Sequence, residues 1–145
     1  MRERASLTAV WLISFITALL LVESYIGRHN SAGMRILLDE DRLDALKPLA
    51  ELYAGYIAGI LGFWFAKPFK EIKNDRVRFT RFCIALVCTI IFNAVVLYMV
   101  GHEYIASGGN VISDIHCAVK IAAWLSVVVA PINLYYFGMK PPTSS

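Results

Sequence analysis

Four stretches of this chain are long, continuously apolar and free of charge near their middles: residues 7–26, 49–66, 82–101 and 119–138. A helix crosses about 30 Å of hydrocarbon with about 20 mostly apolar residues at 1.5 Å rise each. Each run therefore predicts a membrane helix. The expected architecture is all-α, an integral membrane four-helix bundle forming a single domain over residues 1–145. Composition agrees, because 58% of the chain is hydrophobic and only 17% charged, whereas a soluble domain is about half apolar and a quarter charged. A disordered chain, a disulfide-dense secreted miniprotein and almost any soluble enzyme fold are excluded on that ground. A membrane β-barrel is excluded too, since its strands alternate in polarity over short segments and these runs do not.

The ends of the runs fit membrane helices. Pro48 suits the first turn of the second span and Lys67-Pro68 closes it, with Glu51 and Lys67 reaching toward headgroups. Aromatic residues gather near several ends, among them Tyr53, Phe63, Trp64, Tyr98, Tyr104 and Tyr135, as in an interfacial belt. Met1-Arg2-Glu3-Arg4 before an apolar run resembles the start of a signal peptide, but the run is longer than an h-region and no A-x-A site follows. The first span is expected to remain.

Orientation follows from the Lys and Arg residues between spans, because short basic loops resist translocation. With both termini inside, nine of these residues lie on the inner side and five on the outer. Both termini are therefore expected on the cytoplasmic side of the membrane. In the first outer connection, Ile36, Leu37, Leu43, Leu46 and Leu49 recur near helical spacing beside Asp39, Glu40, Asp41 and Asp44. That pattern predicts a short amphipathic helix, either a cap over the outer helix ends or a binding surface for a protein partner. The cytoplasmic loop holds Lys67, Lys70, Lys73, Arg76, Arg78 and Arg81 with Phe69, Phe79 and Phe82 interleaved. Charge lying against the bilayer predicts contact with anionic lipid headgroups rather than nucleic acid. Ser107-Gly108-Gly109-Asn110 predicts a turn in the second outer connection.

The helix faces carry the functional question. At 100° per residue, Glu51, Gly55, Gly59, Gly62 and Ala66 fall in one arc of the second span, and Gly55-x-x-x-Gly59 is a spacing that lets two backbones approach closely. Ala122, Ser126, Ala130 and Asn133 form a second small and polar stripe in the fourth span, with Pro131 beside it, and Thr89 and Asn93 share a face of the third. An amide at membrane depth must find a partner. On one reading these stripes are the packing seam of a monomeric bundle. On the other they serve a homo-oligomer, in which Gly55, Gly59, Gly62, Ala66, Ala122 and Ala130 make the contact face. Thr89, Asn93, Ser126 and Asn133 then line a water-filled path with Glu51 at its outer mouth.

Little else carries chemistry. Cys83, Cys88 and Cys117 include no C-x-x-C pair, which argues against a thiol oxidoreductase. His29, His102 and His116 fall outside the spans, where Asp114-x-His116 with His102 is a weak metal-ligand combination, and haem would need histidines within the spans. No H-E-x-x-H, G-x-S-x-G or P-loop pattern occurs. No cofactor, metal or catalytic residue is expected.

The basic start Met1-Arg2-Glu3-Arg4, four spans in 145 residues, Tyr53-Ala54-Gly55 at the entry to the second span and the basic loop after it belong together. In this pattern of spans the chain resembles the RexB-like family of small inner-membrane proteins of prophage exclusion. The resemblance implies an ion channel of a bacterial inner membrane that depolarises the cell when an infection is sensed, with no catalytic residues to carry over. The leading expectation is thus a small oligomeric pore or membrane-perturbing effector. A non-conducting subunit or adaptor that recruits a partner through a loop is the alternative, and an integral-membrane enzyme using the outer histidines and acids is a third.

Overall fold

The structure, a computed structural model, describes residues 2–29, 33, 35–65, 75–105 and 111–137, without the side chains of residues 2, 65, 75–78 and 103–105. The fold is all-α: α1 (Arg2–Tyr25), α2 (Arg42–Phe65), α3 (Asp75–Ile105) and α4 (Val111–Phe137), with one 3-10 turn at Asp39–Asp41 leading into α2. Three helices are long and apolar enough to cross a membrane, over Glu3–Tyr25, Phe79–His102 and Val111–Phe137. Helix α2 is as long as α1 but is not among them. Lys47, Glu51, three glycines and two tyrosines dilute its apolar content.

Contacts run from α1 to α2, α2 to α4, α4 to α3 and α3 back to α1, so the helices stand at the corners of a four-sided bundle in the order α1, α2, α4, α3. At the end holding the 26–42 connection, Tyr25 donates its hydroxyl to the Val100 carbonyl at 2.7 Å. There Arg42 also sets Nε and Nη2 on Glu23 Oε1 at 2.9 and 2.5 Å. At the opposite end the Arg4 guanidinium lies over the Phe63 ring at 4.5 Å and that of Arg81 over Tyr135 at 4.9 Å.

The helices begin earlier than the apolar runs. Helix α2 starts at Arg42, so Pro48 lies inside it rather than in its first turn. Asp39, Glu40 and Asp41 stand where negative charge favours a helix start, and the two turns they support precede the proline. Among the described residues of the first connection, the separate amphipathic helix expected there does not form. Leu43, Leu46 and Leu49 belong to α2 itself, while Leu37 pairs with Ile26 and Arg35 with His29 in isolated bridges. Gly27 and Gly33 stand at φ +75° and +77°, a backbone conformation that residues with a side chain rarely adopt. Helix α4 also begins eight residues before its expected start, because Val111, Ile115 and Ala118 are spaced to bury one face against the bundle.

Candidate functional site

The centre of the bundle is filled with rings. Trp11 of α1 stacks on Tyr56 at 4.1 Å and 17°, meets Tyr53 edge-on at 6.0 Å and packs against Phe92 at 5.3 Å. Phe15 closes on Tyr53 from the other side at 5.2 Å. Trp11, Tyr53 and Phe92 are fully buried. Aromatic pairs at such distances gain beyond the area they bury. Trp11 Nε1 is the one buried side-chain polar atom among the described residues that has no hydrogen-bond partner.

Beside the rings runs a chain of hydrogen bonds that crosses three helices. Tyr53 donates its hydroxyl to Asn93 Oδ1 at 2.9 Å, and Asn93 Nδ2 returns to the Thr89 carbonyl at 2.8 Å. Thr89 donates to Asn133 Oδ1 at 3.2 Å, and Asn133 Nδ2 to the Val129 carbonyl at 3.0 Å. Thr89, Asn93 and Asn133 are 0%, 3% and 4% exposed. Tyr56 donates to Ser126 Oγ at 2.8 Å, and Ser126 donates to the Ala122 carbonyl at 2.8 Å. Four of the five residues expected to face a water path are thus bonded within one chain, to each other, to a tyrosine or to their own helix. That is how a buried polar group avoids the cost of standing unsatisfied. Sequence reasoning missed Tyr53 and Tyr56 as their partners. Tyr53, expected in the interfacial belt, stands instead at mid-length of the bundle, with Tyr56 one turn further along α2.

The small-residue stripes meet in a groove of about 250 Å³ between α2 and α4, bordered by Gly55, Tyr56 and Gly59 on one side and Ser126, Ala130 and Asn133 on the other. The glycines do not bring two backbones together inside this bundle. A Cβ at Gly55 would meet nothing within 4 Å, and one at Gly59 would touch only Leu134 Cδ2 at 3.5 Å. Ala122 is buried and Gly62 exposed, while Ala66 lies outside the described residues.

Glu51 is exposed on the outward side of α2. Its depth can be fixed from Tyr53, two residues away, which packs against Phe15 and Phe92. Those rings sit near the middle of the apolar stretches Glu3–Tyr25 and Phe79–His102. At 1.5 Å per residue, Glu51 is about 3 Å from that level. It does not stand near the helix start as its position in the 49–66 run predicts, because α2 begins at Arg42.

Compared with known protein families, with curated proteins and with solved structures, the chain matches none. The remaining candidate residues are scattered. Among the described residues no three His, Cys, Asp or Glu side chains gather into a metal-holding group, so His102, Asp114 and His116 do not form one. Cys83, Cys88 and Cys117 are free thiols. Of the basic set, Arg81 is described and stacks on Tyr135. Lys67, Lys70 and Lys73 lie outside the described residues, and Arg76 and Arg78 are described as helix without their side chains.

Proposed function

We propose that this is an integral membrane protein of four spans, with α2 as the fourth and both termini on the cytoplasmic side of a bacterial inner membrane. It works as a helix-docking subunit whose activity is exercised on the flank of the bundle. One observation carries this reading: the axis is plugged by Trp11, Tyr53 and Phe92 while the polar groups beside them satisfy one another. Such a bundle offers ions no wet route along its own middle. Its outward carboxylate at mid-length instead lies on α2, where Glu51 would cost about 2.5–3.5 kcal/mol facing lipid. A carboxylate there calls for a protein neighbour. The basic end, with Arg4 and Arg81 on aromatic rings, meets anionic headgroups.

The position of Glu51 favours a second reading, an oligomeric pore in which ions pass between copies rather than through one. This is the form that the RexB-like resemblance takes, a depolarising effector of phage exclusion. Ion flux in liposomes separates the two. A helix-docking subunit is expected to leave liposomes tight. Flux abolished by Glu51→Gln and retained by Asn93→Leu establishes conduction between copies, whereas flux abolished by Asn93→Leu alone overturns both readings in favour of a path through the bundle.

A further inference from the structure

The outward surfaces of the four helices differ in kind. Helix α1 shows Ile13, Ile16 and Leu20 and α3 shows Val87, Ile90 and Ile91, while α4 shows Trp124, Val127 and Val128 beside the exposed Lys120. These bulky apolar side chains suit acyl chains. Helix α2 shows Lys47, Ala50, Glu51, Ala54 and Ala58 in one exposed arc that Leu43 and Leu61 extend at its ends, and among the described residues it is the outward face that carries both signs of charge. A lysine and a glutamate one turn apart, followed by small residues, form a poor surface for lipid and a good one for another helix.

We infer that this arc is a seam between two copies of the chain, in which Lys47 of each copy pairs with Glu51 of the other. The inference rests on the reading of α2 as a fourth span. The charge pattern selects the occupant. All copies insert with the same orientation, so two α2 helices meeting through this arc are parallel and related by a two-fold axis along the membrane normal. Lys47 and Glu51 are offset by about 6 Å along the helix, a distance that the lysine stem covers. Both charges of both copies are then neutralised by the one contact, and a single surface supplies both halves of it. Ala54 and Ala58, below the pair, let the helix axes approach without a steric block. The seam lies outside the aromatic core, so pairing leaves the bundle itself unchanged.

Cross-linking tests this in membranes of cells expressing the full chain, with Cys83, Cys88 and Cys117 replaced by serine. Ala54→Cys and Ala58→Cys are expected to give disulfide-linked dimers on mild oxidation, while Ile90→Cys on α3 and Val127→Cys on α4 stay monomeric. Lys47→Glu or Glu51→Lys alone is expected to weaken the dimer band, and the two together to restore it. Equal cross-linking on every face, a monomeric mass in detergent, or capture of Ala54→Cys only by a different protein overturns the seam. Each membrane fraction is first washed with alkaline carbonate. Release into the supernatant sinks the four-span reading itself, whereas a retained monomer sinks only the pairing.

Discussion

At the scale of single residues, the decisive contacts are those that consume polar groups. Asn93 and Asn133 stand out in the sequence as amides within apolar runs, and the rule that such groups need partners holds for both. Which partners they take was not legible, because a hydrogen bond across 40 residues depends on how two helices are rotated about their axes. Tyr53 illustrates this: its hydroxyl, which a sequence reading sends toward the interface, ends on Asn93 in the middle of the bundle. The bond has a measurable worth. In a double-mutant cycle of Tyr53→Phe with Asn93→Leu, unfolded by detergent titration in micelles, a coupling of about 0.6–1.7 kcal/mol is expected. A coupling of zero would show that the two side chains do not meet.

At the scale of elements, hydropathy located every helix and placed its start too late, by five to eight residues. Apolar runs mark where side chains are apolar, while helix boundaries are set by backbone hydrogen bonds, which continue through polar flanks wherever one face is still buried. Helix α4 gains its first turns that way, through Val111 and Ile115. Helix α2 shows a second limit. Its glycine spacing predicts close backbone contact, but the glycines border an open groove, and the neighbouring α4 approaches with the Leu134 side chain instead. Gly55→Ala is therefore expected to be neutral or to stabilise by about 0.5–1 kcal/mol, from the ordinary helix penalty of glycine. Gly59→Leu, driven against Leu134, is expected to cost about 1–3 kcal/mol. The same detergent titration reads both, and a large loss at Gly55 would mean that its face is covered in the native assembly.

At the scale of the whole molecule, α1 and α3 run parallel and so bring Arg4 and Arg81 to one end, while α2 runs antiparallel to α1 and sets the Glu23–Arg42 pair at the other. This polarity matches the distribution of basic residues on which the proposed topology is built. The free cysteines test it without added tags. Cys117 is exposed in the first turns of α4, and Cys83 lies two residues from Arg81 at the opposite end. A membrane-impermeant maleimide applied to intact spheroplasts is expected to label Cys117 and to spare Cys83 and Cys88 until the membrane is opened. Labelling of Cys83 alone would invert the orientation.

The amount and spacing of apolar residues dictate an all-helical chain rich in membrane-grade helices, because backbone groups in such runs can be satisfied only within the helix. These properties are local, so they are present in the order of residues. Rotation of each helix is different in kind, since it is settled by the mutual packing of side chains from all four. Only the packed bundle turns Thr89, Asn93 and Asn133 inward upon one another and leaves Glu51 facing out, and that division moves the functional question from the axis of the protein to its flank.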